Sequence, residues 1–243
     1  MRFVAWATHS KLVVVGAAGI GRDDLWQLLC FPDLFIAISK PEHIWAKLKT
    51  PWIKSVYIPY GVDQKLFQNA SEAPLFVKKP RVVCIGAFVP YKRIDYLIRA
   101  MQHVDRAVLV LVGQGPEEQN LRFLGESLLG DRFCMLTGKT HDDLPGILKS
   151  ASVFSLPSKP VEAFGIVYIE ALAAGLRIVA PDDPIRRSML KKSAWYVNPE
   201  NEHEYANALK KALLKKSSHE KNILKEFEWD TIVQQYQNAF HSL

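Results

Sequence analysis

Short β-branched apolar runs alternate with stretches of helical spacing along most of this chain. From residue 81 the strand-like runs are RVVCIG, AVLVLVG, RFCMLTG, VFSLPS, RIVAP and WYVN. Among them lie KRIDYLIRAM, EEQNLRFLGESLL, HDDLPGILKSA and GIVYIEALAAG, and a lysine-rich helix, YANALKKALLKK, follows the last. In KRIDYLIRAM, Ile94, Leu97, Ile98 and Met101 repeat at i, i+3, i+4 and i+7, one apolar stripe of a helix. Near-continuous apolar strands separated by helices predict a parallel sheet covered on both faces. The expected fold class is therefore α/β, a doubly wound parallel sheet over residues 81–226.

Residues 1–60 predict a smaller portion of the same Rossmann-like kind. KLVVVG, DLFIAIS and KSVYIP read as strands and PEHIWAKLK as a helix. The polar, proline-bearing segment 61–80 is the expected linker. At the far end, residues 227–243, Trp229, Ile232, Val233, Tyr236 and Phe240 mark an amphipathic helix that needs an apolar surface to pack on.

Composition narrows the class without naming it. Apolar residues are 49% of 243, enough for a core, and mean hydropathy is near zero. The net charge of +6 comes partly from Arg186, Arg187, Lys191 and Lys192, and from Lys210, Lys211, Lys215 and Lys216. The last four lie opposite the stripe of Tyr205, Leu209, Ala212 and Leu213, as a solvated face should, so no nucleic-acid partner is expected. Cys84 and Cys134 fall in strand-like runs and read as buried thiols of a reducing compartment. The first apolar run breaks at Thr8, His9, Ser10 and Lys11, unlike a signal peptide. Leu12 to Ile20 is too short to span a bilayer, which takes ~20 residues. A cytoplasmic protein with at most peripheral membrane contact is expected.

Two motifs are set aside. VVVGAAGIG places Gly16, Gly19 and Gly21 after a strand, but in the order GxxGxG and with no acid at the end of the next strand, so a structural turn is expected rather than a dinucleotide site. The doublets Asp23-Asp24, Asp142-Asp143 and Asp182-Asp183 lack the Asp-x-Asp spacing of a metal-dependent transferase and read as caps or turns. No metal site is expected.

SKPVEAFGIVYIEALAAGLRIVAP holds the informative pair, Glu162 and Glu170. Both stand among small and apolar residues, where an unpartnered charge is costly. Glu162 falls in the loop after VFSLPS, at the carboxyl edge of the sheet, where such sheets bind ligands. A helix expected from residues 164–165 to Gly175 would offer the N–H groups of Phe164, Gly165 and Ile166 to an anion. Glu170 then lies one turn on, within reach of hydroxyls beside that anion. A nucleotide sugar fits this order of groups.

E-A-F-G-I-x-x-x-E-A-L-A-A-G resembles the Glu-x7-Glu signature of retaining glycosyltransferases of family 4, which have the GT-B fold of two facing Rossmann-like domains. IPYGVD, GAFVPYKRIDYLIRAM, LVGQGPEEQNL and FEWDTIVQQY resemble that family's hinge, diphosphate loop, Gly-x-Gly-Pro segment and terminal crossing helix. The resemblance spans residues 10–240. It implies that Glu170 binds the donor ribose and Glu162 the donor sugar, with Lys92 and Arg93 on the diphosphate. It places Gly86 at the opening of the diphosphate loop and Lys139 beside the base, with the backbone of Phe164, Gly165 and Ile166 on sugar and phosphate. Glu162 and Lys92 would be the catalytic pair. The donor would be a UDP- or GDP-sugar, the acceptor a glycan or lipid-linked hydroxyl, and no cofactor or metal would be needed.

The chain departs from the family at Ala87, where an arginine is common, and at Tyr60, where the hinge has asparagine. Its first portion also has fewer βα units. On the order of 100 residues are expected to be missing for a typical domain size of ~100–150. A poorly active chain that self-associates, or pairs with a complementing chain, is then expected. A non-catalytic nucleotide-sugar-binding subunit is the alternative. A glycoside hydrolase, with carboxyls about 5–10 Å apart across a sugar, leaves Lys92 and Arg93 without a purpose.

Overall fold

The computed structural model describes residues 2–21, 23–75, 77–78, 80–215 and 223–243. Lys216, grouped above with the lysine face, lies outside them. Two parallel sheets form. The first has three strands in the order β1-β2-β3, namely β1 (Val13–Gly16), β2 (Leu34–Ala37) and β3 (Ser55–Tyr57). The second has six: β4 (Arg81–Ile85), β5 (Val108–Val112), β6 (Phe133–Leu136), β7 (Val153–Ser155), β8 (Arg177–Pro181) and β9 (Ala194–Val197). Their order is β6-β5-β4-β7-β8-β9, all parallel.

Burial follows from this order. β4 and β5 are central and buried at every position, whereas β6, at the edge, is half-buried throughout. That edge position corrects the expectation for Cys134, which is half-buried, while Cys84 on β4 is buried and its thiol is pushed up to about 12 by desolvation. Helix Ile94–Met101 buries all four residues of its predicted stripe. The lysine helix, Glu202–Leu214, buries Tyr205, Leu209 and Ala212 and leaves Lys210 and Lys211 exposed. Segment 61–80 is more than a connector. It carries helix Gln64–Gln68, capped by Asp63, and seats Phe67 in the main core.

The first sheet depends on the end of the chain. Helix Trp229–His241 lays Ile232 and Ala239 against Leu34, Ile36 and Ile58. Lys54 Nζ donates to the Ser242 carbonyl at 2.8 Å. Three strands give little cover elsewhere. β1 is paired on one side only, and Trp6, Trp26, Trp52 and Leu48 are exposed around this sheet. Unpredicted helices Arg2–Ala7 and Asp23–Leu29 carry the first two of these tryptophans.

A buried acid pair holds the loop that leaves β1. Asp24 accepts N–H bonds from Ala18 (3.2 Å) and Gly19 (2.8 Å), so it fixes the glycine loop rather than capping its own helix. Gly19 has φ +103°, and a Cβ there would lie 2.7 Å from the Val161 carbonyl oxygen, so only glycine lets the loop touch the second sheet. Glu42, also buried, accepts from Ile38 N–H at 2.8 Å through Oε2, while its Oε1 lies against Gly16 with no hydrogen-bond partner. Burial, and then the nearby Asp24 carboxyl, raise the Glu42 carboxyl to about 9. Glu42 therefore keeps its proton at pH values where the unfolded chain has released it.

Two outcomes test this arrangement. Ile232→Ala is expected to cost about 2–5 kcal/mol in urea unfolding, as buried truncations do. Val233→Ala, on the half-exposed side of the same helix, is expected to cost under about 1 kcal/mol. For Glu42 the folded protein retains a proton that the unfolded chain releases between pH 4.5 and about 9. Its stabilisation is therefore full below that window and falls as pH rises through it. Glu42→Gln keeps a donor without titrating. Its stability relative to wild type is expected to rise by on the order of 1–4 kcal/mol from pH 5 to pH 8, and a pH-independent difference would disprove the raised pKa of Glu42.

Candidate functional site

The winding of the six-stranded sheet reverses between β4 and β7, which are neighbours although two strands separate them in sequence. Loops leaving the carboxyl ends of such a pair diverge and leave a crevice, where open α/β sheets bind ligands. Gly86 follows β4 there and donates its N–H to the Val112 carbonyl at 3.0 Å. A Cβ on Gly86 would lie 3.8 Å from Lys92 Cε and 4.0 Å from its Nζ, so glycine leaves space beside that ammonium. The 3-10 turn Pro90–Lys92 then carries Lys92 into the crevice, 8% exposed.

Glu162 comes from the opposite loop. Lys159 donates its N–H to the Tyr91 carbonyl at 2.8 Å, and Glu162 donates its own to the Lys159 carbonyl at 3.1 Å, so the two loops dock before their side chains meet. Lys92 Nζ then reaches Glu162 Oε2 at 2.5 Å, with the side chains 10% and 13% exposed. Residues 70 positions apart in sequence thus form one ion pair at the switch of the sheet.

Phe164 is buried, edge-on to Tyr60 at 5.4 Å and to Phe227 at 6.1 Å. Gly165 has φ +81°, a left-handed conformation that excludes helix. That corrects the expected helix start: the helix is Val167–Ala173, and Tyr168 N–H bonds the Gly165 carbonyl at 3.0 Å. Its stop agrees, with Gly175 at φ +87°. A cavity of about 400 Å³ opens here between the two sheets. Ala17, Ala18 and Tyr60 line it from the first sheet, and Tyr91 with residues 161–166 from the second. The charged group on its wall is Glu162.

Glu170, one turn into the helix, is 3% exposed, and burial raises its carboxyl pKa, partly offset by His141. His141 Nε2 lies 3.8 Å from Glu170 Oε1. Lys139 is exposed just after Gly138, and the residue from its loop that faces Glu170 is His141, which the sequence did not single out. Arg93 is not brought to the cavity. With φ 51°, it donates Nε to Pro157 O at 2.9 Å and Nη2 to Ser158 O at 3.4 Å, and pairs Nη1 with Glu200 at 3.1 Å. It braces the loop that carries Glu162.

Arg186 is the larger surprise. Counted in the sequence only toward the net charge, it is fully buried in helix Pro184–Leu190. Asp183 caps that helix, accepting from Ile185 N–H (3.0 Å) and Arg186 N–H (3.1 Å), and pairs with the Arg186 guanidinium at 3.2 Å. Arg186 Nη2 donates to Ser158 Oγ at 2.7 Å and lies 4.0 Å from Glu162 Oε2. The signal was present in DDPIRR: a capping acid with an arginine three residues on shares one face. Of the other doublets, Asp143 and Thr140 form a capping box, and Asp182 pairs with the exposed Arg187.

Glu162 thus lines the cavity with two buried cations, Lys92 and Arg186, behind it, and Glu170 is buried in the helix that follows. Comparison with known proteins bears on this directly. Residues 67–226 match the family model described as glycosyl transferases group 1. The chain is 35% identical over 142 residues to a GDP-mannose-dependent alpha-(1-6)-phosphatidylinositol monomannoside mannosyltransferase of Mycobacterium tuberculosis, covering 51% of this chain and 37% of that protein. It is 32% identical over 198 residues to the Mycolicibacterium smegmatis protein of the same name, covering 74% of this chain and 52% of the relative. The chain therefore spans about half the length, or less, of these curated relatives.

Among solved structures, sucrose-phosphate synthase from Thermosynechococcus elongatus superposes with TM-score 0.81 at 22% identity, covering 99% of this chain and 71% of that one. Anabaena HepE in complex with UDP and glucose superposes with TM-score 0.85 at 18% identity, covering 100% and 74%. These likenesses show the fold, two Rossmann-like sheets in the GT-B arrangement, with three strands of the first sheet present here. With the matched region running through the crevice from Gly86 to Arg186, the chain belongs to the glycosyl transferases group 1 family.

Proposed function

We propose that this chain carries the donor site of a retaining, metal-independent hexosyltransferase that uses a nucleoside diphosphate sugar. The observation that supports the reading most is the meeting of Lys92 and Glu162 across the sheet's switch point, with Glu170 buried one turn further on. Lys92 meets the diphosphate, Glu170 the ribose hydroxyls and Glu162 the hydroxyls of the sugar. The backbone at Phe164, Gly165 and Ile166 lies along the sugar and phosphate, Gly86 leaves room for the diphosphate, and Lys139 and His141 border the base. The mannosyltransferases to which the chain is similar favour GDP-mannose as donor and a lipid-linked acceptor. HepE, seen with UDP and glucose, keeps a UDP-sugar in the test.

In this reading the bond between the sugar's anomeric carbon and the β-phosphate oxygen breaks, and the diphosphate leaves with the electron pair. An acceptor hydroxyl attacks from the same face and passes its proton to the departing phosphate. Lys92, engaged by the bound diphosphate before the bond breaks, stabilises the charge that grows on that phosphate without further reorganisation, the usual source of large rate effects. No enzyme nucleophile is needed. Among the described residues no helix is long and apolar enough to cross a membrane, and a cytoplasmic location with peripheral membrane contact suits such an acceptor.

A second reading, donor binding without turnover, is favoured by the three-stranded first sheet with its open β1 edge and exposed tryptophans. An acceptor wall would then come from a second copy or a complementing chain. Transfer to lipid-linked and glycan acceptors, assayed with and without self-association, separates the two.

Calorimetry with UDP and GDP tests the site itself. Glu170→Ala and Lys92→Ala are each expected to weaken diphosphate binding about ten- to a hundredfold, as loss of a charged hydrogen bond does. Wild-type affinity in both variants would place the nucleotide elsewhere. Binding and transfer are also expected to persist in EDTA, because Lys92 supplies positive charge at the diphosphate. A large loss restored by manganese would show a metal-dependent site.

A further inference from the structure

Lys92 has two claims on it under the proposed donor site. Its ammonium now lies 2.5 Å from Glu162 Oε2, and a diphosphate would draw the same ammonium away. Glu162, 13% exposed, would then lose its cation in a largely desolvated crevice, where one partner of an ion pair is costly to leave alone. Arg186 meets that need. Its Nη2 stands 4.0 Å from Glu162 Oε2, within ion-pair range and just beyond a hydrogen bond.

The surroundings of Arg186 fix it there. Asp183 holds Nη1 at 3.2 Å, and the Tyr168 ring lies 6.0 Å from the guanidinium carbon. Nη2 rests on Ser158 Oγ at 2.7 Å, a hydroxyl that turns easily, while Nε has no hydrogen-bond partner. The side chain has 0% exposure, so it cannot leave for solvent. Arg187, its neighbour in sequence, is by contrast exposed and paired on the surface with Asp182. A merely structural arginine would be satisfied by Asp183 and Ser158 and would have no reason to point at the acid that lines the cavity.

We propose that Arg186 is a positioning residue: it takes over Glu162 when the diphosphate engages Lys92, and so sets the carboxylate that receives the donor sugar's hydroxyls. The proposal rests on the donor-site reading and adds a division of labour to it. Lys92 reads the diphosphate, and Arg186, through Glu162, reads the sugar. Removing Arg186 should therefore leave the nucleotide's affinity alone and remove the sugar's share.

The test compares UDP with UDP-glucose, and GDP with GDP-mannose, by calorimetry on the full chain. The double variant Asp183→Asn with Arg186→Met removes the buried pair together, so no orphan charge is left behind. Diphosphate affinity is expected within about threefold of wild type, while the sugar-to-diphosphate affinity ratio falls about tenfold or more, the size of one charge-assisted contact. Arg186→Lys, which keeps charge but shortens its reach, is expected to lie between. A folded double variant with the wild-type ratio overturns the role of Arg186 alone. Should that variant melt below the assay temperature, Arg186→Lys decides by the same ratio, and no change there overturns it. A wild-type chain that binds neither diphosphate overturns the donor site and this proposal with it.

Discussion

One ion pair organises the active face of this molecule. Lys92 and Glu162 stand on loops that leave β4 and β7, the strands between which the sheet changes its direction of winding. Each side chain is almost out of water, so removing one partner alone costs roughly 3–5 kcal/mol, far more than a surface pair. The backbone bond from Lys159 to Tyr91 joins the loops, the bond from Glu162 to Lys159 turns the second loop toward the first, and the charges lock them. Arg93, bonded to the carbonyls of Pro157 and Ser158, holds the same junction from the outside. The crevice exists in its present form because these contacts agree.

The two sheets are stabilised in different ways. The larger one has two buried central strands and helices packed against them, and its core takes in Ile38, Val62 and Phe67 as well as residues from Val82 to Phe227. The smaller has three strands, close to the minimum for independent stability. It is completed by Ile232 and Ala239 from the last helix and by the buried acids Asp24 and Glu42, which accept backbone N–H bonds from Ala18, Gly19 and Ile38. Those acids act through backbone: they set the loop at Ala18 and Gly19, which in turn meets the Val161 carbonyl at the cavity's rim. The weaker sheet thereby contributes one wall of the cavity.

The fold was legible because apolar spacing is local and repeated. Each strand from RVVCIG to WYVN, and the stripe from Ile94 to Met101, could be read from neighbours alone. Glu162 and Glu170 drew notice because they sit in a stretch whose composition makes acids costly, and the structure buries Glu170 and pairs Glu162 with Lys92, while their roles came only from the family resemblance. What escaped were groups whose meaning depends on distant partners. Arg186 was counted only as part of the net charge, because its role depends on Ser158 and Tyr168, and on Glu162 across the crevice. Asp24 looked like a helix cap because its acceptors face Ala18 and Gly19 on an earlier loop. Gly165 misled in the other direction. Sequence spacing placed it inside a helix, and its positive φ put it before one.

The docking of residues 232 and 239 on β2 and its neighbours has a consequence for how the chain is made. Synthesis runs from the amino terminus, and domains ordinarily fold as they emerge from the ribosome. The strands of the first sheet emerge early, but the side chains that close their core follow after the whole second sheet has been translated. Throughout that interval the nascent chain carries β1 to β3 without their cover, a period in which an open strand edge is exposed to other chains. Closure of the first sheet's core therefore waits on side chains synthesised after the second sheet, and its own sequence does not set the timing.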